Sequence, residues 1–472
     1  MGIFYAILVS SIKIFNKKYK KNSKKPLLFK VFCIQYNVEK YRKISKEKRK
    51  KMRILMLTWE YPPRVVGGIA RVVNDLSKRL IKDGHDVTVV TYREGKAPYY
   101  ELDKGVKVYR VDNFMINANN FIDWIMQLNF NLVGKVGEII QKEGKFDVIH
   151  AHDWLVAYAA KTLKQSYGIP IISTIHATES GRNSGIRDDQ QKYINDTEWM
   201  LTYESSEVIV NSNYMKSELQ RLFGLPFEKI NVVPNGVNLL SYSGLERDYD
   251  FRRKFAMDNE KIILFMGRLV YEKGVQHLIA AMPKILNGYH DSKLIVAGKG
   301  GMIDELKEQA NALGLGEKVY FAGYMNGKDV GRLYKAADVA VFPSTYEPFG
   351  IVALEAMLAE IPVVVSDIGG LNEIVQHREN GMKSYAGNPN SIADSILEVL
   401  FDPQLCANMV KKAKSKVRTE YNWTKIAQDT HFVYQKAICE TEADKARKEM
   451  EQAKSGKSRK LIPFSRRSQV YA

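Results

Sequence analysis

The chain has 472 residues, of which 45% are hydrophobic, enough for two or three domains with buried cores. Its net charge of +18 sits at the ends: residues 1–51 carry 16 Lys+Arg against 2 Asp+Glu, residues 451–472 carry 6 against 1, and 52–450 is left at −1. A neutral body excludes a basic nucleic-acid-binding face. Three scattered cysteines, Cys33, Cys406 and Cys439, give neither a zinc spacing nor an even disulfide set, which fits a reducing cytoplasm.

Met1 to Phe15 is mostly apolar and Lys17 to Lys25 strongly basic. The apolar part falls short of the ~20 residues that span a bilayer. It also lacks the charged start and small-residue cleavage site of a secretory signal. Three readings stay open for residues 1–51: a segment lying on a membrane surface, an unstructured tail, or sequence ahead of a translation start at Met52.

A first α/β domain is expected over 52–240. Arg53 to Thr58 is a continuous apolar run, as in a parallel strand buried on both faces. Trp59 to Pro63 breaks it, and Gly67-Gly68 opens a helix with apolar spacing at Ile69, Val72, Val73, Leu76 and Leu80. The glycine pair is either a tight turn or a place where backbone approaches a phosphate or sugar. Strand–helix alternation continues with Asp86 to Thr91, Asp147 to Ala151, a helix near Leu155 to Ser166, Ile171 to Ile175, a helix Asp188 to Tyr203, Glu207 to Asn211, a helix capped by Ser212, and Ile230 to Val233.

Two histidine motifs lie at strand ends, where open α/β sheets bind ligands. They are His150-Ala151-His152-Asp153-Trp154 and Thr174-Ile175-His176-Ala177-Thr178-Glu179. His176 is delivered to the sheet edge, whereas His150 is expected to pack or hydrogen-bond within its strand. His152 and Asp153 either meet a substrate hydroxyl or cap the following helix.

A polar linker is expected over 241–254 and a second α/β domain over 255–417. Ile262 to Met266 is a buried strand, followed by a loop carrying Arg268 and Lys273 and a helix from Val275 to Leu286. Two cations on one strand-to-helix loop suit a shared anion. Strands follow at Lys293 to Ala297, Val319 to Ala322, Asp338 to Phe342 and Val363 to Ser366, each leading into a glycine-bearing or turn-rich loop. A tail helix is expected over 418–441, crossing back over both domains, and a disordered basic tail over 442–472.

The stretch Pro343 to Glu355 is the densest in chemistry. It leaves a buried strand, turns through Pro343 and Pro348, and opens a helix expected over Phe349 to Ala359. Glu347 lies on the turn and Glu355 in the helix, roughly 7 Å beyond Gly350. Between them a helix N-terminus offers free N–H groups to an anion. Two acids flanking an anion site suit a long ligand with a charged middle and hydroxylated ends.

Two doubly wound domains with the Glu347/Glu355 pair resemble the retaining glycosyltransferases of GT-B fold, especially the glycogen-synthase-like and maltose-1-phosphate-synthase-like members. Pro62-Pro63 with Gly67-Gly68, both histidine motifs, Pro234 to Val237, Gly267-Arg268 with Lys273-Gly274, and Pro343 to Glu355 carry the likeness. It implies a hexose, glucose above all, passed from ADP- or UDP-glucose as a substrate to a glucan or sugar-phosphate acceptor, with no resident cofactor or metal. By the same resemblance Arg268 and Lys273 hold the donor diphosphate and Glu355 the ribose. Glu347 and His176 meet the transferred sugar. Gly67, Gly68, Phe349, Gly350, Ile351 and Val352 line the donor, and Asp153 touches donor or acceptor. The rivals are a membrane-peripheral enzyme with a lipid acceptor, a sugar-nucleotide epimerase, and a non-catalytic sugar-nucleotide-binding protein.

Overall fold

The computed structural model describes residues 51–454, apart from 114–119, 243 and 326. The expectations for residues 1–50 and 455–472 lie outside the described residues. Two parallel sheets organise the rest, as the sequence pattern predicts.

The first sheet has eight strands: β1 (Arg53–Leu57), β2 (Asp86–Tyr92), β3 (Tyr100–Asp103), β4 (Val106–Val111), β5 (Val148–His152), β6 (Ile171–Ile175), β7 (Glu207–Val210) and β8 (Ile230–Val232). Their order is β3-β4-β2-β1-β5-β6-β7-β8. All neighbours pair in parallel except β3 with β4. β3, β4 and the long helix Phe121–Glu143 were not expected from the sequence. The β3–β4 hairpin alternates exposed and covered residues at the sheet edge and lacks the apolar run that marks central strands.

The second sheet has six strands: β9 (Lys261–Met266), β10 (Ser292–Ala297), β11 (Val319–Gly323), β12 (Val339–Phe342), β13 (Val363–Ser366) and β14 (Met382–Ser384). Their order is β11-β10-β9-β12-β13-β14, all parallel. Helices cover both faces of each sheet, so each has two apolar layers. In each sheet the chain winds outward one way and then the other. The switch falls between β1 and β5 in the first sheet and between β9 and β12 in the second. A crevice opens at the carboxyl ends of such strand pairs, because their outgoing loops diverge to opposite faces.

The connecting segment is not a loose linker. Tyr242, Phe251 and Arg252 are buried in the second domain, and Asp248 caps the helix Tyr249–Arg252 by accepting from the Phe251 N–H at 2.9 Å. The last helix runs Trp423–Lys454, so the 442–472 segment expected to be disordered is helical through Lys454. The helix returns to the first sheet. Val433, Tyr434 and Ala437 are buried there, and Lys436 pairs with the buried Glu207 at 2.8 Å.

Candidate active site

The loops at both switch points face one another. After β1 comes the loop to Gly67 and the helix Gly68–Lys82; after β5 comes Asp153. After β9 comes Gly267 to Gly274, and after β12 comes Pro343 to Gly350 with the helix Ile351–Leu358. Contacts cross the seam between them. Arg71 donates to Glu355 Oε1 at 2.7 Å, Ser212 Oγ to the Pro348 carbonyl at 2.7 Å, and the Tyr214 N–H to Glu373 at 2.8 Å. A Cβ on Gly68 would stand 3.3 Å from Ile351 Cδ1.

In the second domain, Lys273 Nζ donates to Glu347 Oε2 at 2.7 Å, and Ser344 Oγ donates to the same oxygen at 3.2 Å. The Lys273 loop is held by backbone contact. The Thr345 N–H donates to the Glu272 carbonyl at 2.9 Å, and Gly274, with φ +71°, packs so closely on the Pro343 carbonyl that no Cβ fits. Arg268 is half exposed and ion-paired to Glu272 at 3.2 Å. The two cations expected to share one anion therefore already face two different carboxylates.

Gly350 adopts φ +109° and caps the helix, which starts at Ile351 rather than Phe349. The Phe349 ring is 5% exposed and packs edge-on against Tyr421. Its side chain belongs to the core, and only its backbone borders the site. Ile351 and Val352, in the first turn, are half buried.

Glu355 is buried. Burial raises its pKa and Arg71 opposes the rise. The Tyr334 and Tyr242 hydroxyls stand near the carboxylate, but Tyr334 donates to the Val352 carbonyl and the second oxygen, Oε2, is buried without a hydrogen bond of ordinary length.

The first domain departs from expectation at its helix start. The buried carboxylate of Glu60 accepts from the N–H groups of Val66, Gly67 and Ala70 at 2.6, 2.9 and 3.2 Å. The Gly67 amide expected to meet phosphate thus already holds the protein's own anion. Burial raises the Glu60 pKa and those three amides pull it back. Gly68 keeps its role as a point of close approach.

The histidines form one row, in which His150 and His152 are buried and His176 is partly exposed. His150 is bonded to Tyr434 and Thr174, both at 2.7 Å, which is the structural role expected of it. His152 Nδ1 lies 3.2 Å from His176 Nε2, and Asn211 lies 3.4 Å from His176 Nδ1. Both nitrogens of His176 are therefore engaged by protein, whereas Nε2 of His152 is buried without a partner. Asp153 holds a positive φ of 60°, unusual for a non-glycine residue. Its Oδ1 accepts from the His176 N–H at 2.7 Å, Arg182 stands 3.9 Å from Oδ2, and Oδ2 itself lacks a hydrogen bond. So Asp153 anchors the His176 loop rather than capping a helix.

Two hollows flank this centre. One, of about 290 Å³, is lined by Gly298, Lys299, Gly300, Phe321 and Gly323 beyond β10 and β11, among other residues. The other, of about 330 Å³, lies at the first sheet's carboxyl edge and is lined by Arg64, Asn120, Phe121 and Trp124. The Phe121 and Trp124 rings there are parallel within 8°. Arg64 lies over Trp59 and Trp124 and is paired with Glu94 at 2.5 Å.

Sequence reasoning did not single out Glu60, Arg71 or Tyr346. The partners of Arg71 and of the Tyr346 side chain lie across the seam, and Glu60 turns back onto the helix start that follows its own loop; no residue spacing signals such contacts.

Residues 246–416 match the family described as Glycosyl transferases group 1, and residues 66–239 match Glycosyltransferase Family 4. An uncharacterised glycosyltransferase of Methanocaldococcus jannaschii is 44% identical over 391 residues, which cover 82% of this chain and 99% of that protein. A glycogen synthase of Mycobacterium tuberculosis is 35% identical over 398 residues, covering 81% and 94% respectively. Among solved structures, sucrose-phosphate synthase from Thermosynechococcus elongatus superposes with a TM-score of 0.70 at 24% identity, covering 82% of this chain and all of that one. The chain therefore belongs to the group 1 glycosyltransferases of GT-B fold.

Proposed function

We propose that this glycosyltransferase is a retaining hexosyltransferase that moves glucose from a nucleoside diphosphate sugar to a glucan or sugar-phosphate acceptor. The observation that carries the reading is the pairing of Lys273 with Glu347 at the mouth of a helix N-terminus, with the buried, half-used carboxylate of Glu355 one helix turn beyond. A diphosphate fits the cation and helix start, and ribose hydroxyls fit a carboxylate oxygen that lacks a donor. The hollow at Gly298 to Gly300 supports a place for the base. The 35% identity to a glycogen synthase supports glucose and a glucan.

The reaction breaks the bond between sugar C1 and the leaving phosphate oxygen, and a bond forms from C1 to the acceptor hydroxyl on the same face. The hydroxyl proton passes to the leaving phosphate. Lys273, Arg268 and the helix start supply the positive charge that stabilises the leaving diphosphate. Glu347 meets the transferred sugar, and Asp153 Oδ2 and His152 Nε2 offer an acceptor and a nitrogen to hydroxyl groups. The parallel Phe121 and Trp124 rings support a pyranose acceptor, whose C–H faces stack on aromatics.

A panel of nucleotide sugars, scored for nucleotide release with and without glucan or sugar phosphate, tests the reading. NMR of the product's anomeric proton tests retention. Release that no acceptor stimulates would refute transfer, and an inverted linkage would refute the stereochemistry.

A further inference from the structure

We propose that Tyr346 is a positioning residue that places Glu347 for transfer only when the two domains close. The proposal rests on the transferase reading above and adds the device by which the halves of the site are assembled.

Tyr346 precedes Glu347 on the loop after β12, yet its side chain is buried in the first domain. The ring is 6% exposed. Its hydroxyl donates to Glu218 Oε1 at 2.9 Å and accepts from the Thr178 N–H at 3.2 Å. Met215 Sδ lies 3.7 Å from the same oxygen. Burial and the adjacent Glu218 carboxylate push the phenol pKa well up, so the hydroxyl stays a donor at neutral pH.

The socket is built for this ring. Thr178 Oγ1 donates to Glu218 Oε1 at 2.6 Å and accepts from the Gly181 N–H at 2.9 Å, which fixes the short helix Glu179–Arg182. A Cβ on Gly181 would collide with the Tyr346 ring. Only glycine leaves room there.

Both ends of the contact belong to chemistry. On one side, the Tyr346 and Thr345 N–H groups share the Glu272 carbonyl, next to Lys273, which pairs with Glu347. On the other, Thr178 lies two residues past His176. Seating one phenol therefore fixes the spacing between the Glu347–Lys273 pair and the His176–Asp153 loop. The seam is also crossed by individual polar contacts, such as Arg71–Glu355 and Ser212–Pro348, of the kind that hinged domains break and remake. With the phenol out of its socket, each half-site stays intact but the halves are unregistered.

The experiment compares Tyr346→Phe and Gly181→Ala with the parent. The first removes the hydroxyl and keeps the ring; the second puts a methyl group where the ring sits and leaves residue 346 itself unchanged. Three quantities are read: affinity for nucleoside diphosphate, the kcat of transfer, and small-angle scattering with and without nucleotide. Thermal melting confirms that each variant folds.

Expected are nucleotide affinities within about 2-fold of the parent, kcat lower by roughly 10- to 100-fold, as befits loss of a hydrogen bond to a charged group, and weakened nucleotide-induced compaction. Parent-like kcat and compaction in both variants would overturn the proposal. So would a loss of nucleotide affinity matching the loss of kcat, since Tyr346 would then belong to the donor site itself. Scattering needs no turnover, so a parent without transferase activity refutes the functional reading while the coupling is still judged on compaction.

Discussion

Arg71, one turn into the first domain's first helix, donates to the buried carboxylate of Glu355 in the second domain at 2.7 Å. The carboxylate expected to hold the donor ribose is thus also a bridge between domains. Burial raises its pKa, and the Arg71 guanidinium opposes that rise.

Arg71→Ala removes that cation and leaves Glu355 more readily protonated. A protonated carboxyl accepts ribose hydroxyls less well. The expected result is a donor KM about 10-fold higher near neutral pH, with the defect shrinking as pH rises and Glu355 ionises. A donor KM measured from pH 6 to 9 checks this. A defect independent of pH would show that Arg71 acts only as a bridge.

Glu347→Gln keeps size and removes charge, so it separates the Lys273 pair without opening a cavity. Turnover should drop by at least about 100-fold, the scale of losing a group that acts on developing charge, with the melting temperature little changed. Lys273→Ala should weaken donor affinity as well as kcat, because it removes the diphosphate's cation and leaves Glu347, 7% exposed, without its partner. Steady-state kinetics on both variants, with melting curves, decide this.

Chelation is a separate test. If Lys273, Arg268 and the helix start at Ile351 neutralise the leaving diphosphate, EDTA leaves kcat within about 2-fold. Loss of turnover restored by added Mg²⁺ would refute that part of the proposal.

The histidine row predicts acid sensitivity. Burial pushes His150 down to about 3, and burial also lowers His152 and His176. The groups facing the row are Tyr434 of the last helix, Thr174, Asn211, Asp153 and Arg182. A buried histidine kept neutral while its unfolded counterpart takes a proton makes the native state lose stability as pH falls. The loss begins at the ordinary histidine value of 6.5 and runs down toward about 3, at up to about 1.4 kcal/mol per pH unit for each group. Melting temperature should fall steeply between pH 6.5 and 4, and His150→Asn should flatten the slope. Tyr434→Phe should cost about 1–3 kcal/mol by leaving His150 Nδ1 without its partner, and leave donor KM unchanged.

The two-domain architecture was legible because central parallel strands are buried on both faces and leave uninterrupted apolar runs, as in Ile262 to Met266 and Val363 to Ser366. The β3–β4 hairpin was not legible, since an edge ladder is half solvated and its pattern is weak. The length of the last helix was missed for a related reason: its far half is charged, and periodicity there marks no buried face. The packing of Tyr242 and Phe251 within the linker segment was not legible, because polar neighbours masked a few anchoring aromatics.

At the site, sequence placed Glu347, Arg268, Lys273, Asp153 and His176 on loops at strand ends and Glu355 in the helix that follows, because alternation of strands and helices fixes which residues reach a sheet edge. It could not decide which charges meet. Lys273 finds Glu347, Arg268 finds Glu272, Arg71 crosses to Glu355, and Glu60 fills the helix start that two glycines seemed to leave open. Lys273–Glu347 and Arg71–Glu355 join residues far apart in the chain, whereas Arg268–Glu272 and Glu60–Gly67 are local, and side-chain reach and burial select among them only in the folded protein. The chain's periodicity determined what faces the cleft; the tertiary structure alone decided which groups are already satisfied there and which, Asp153 Oδ2 and Glu355 Oε2 among them, make no hydrogen bond within the protein.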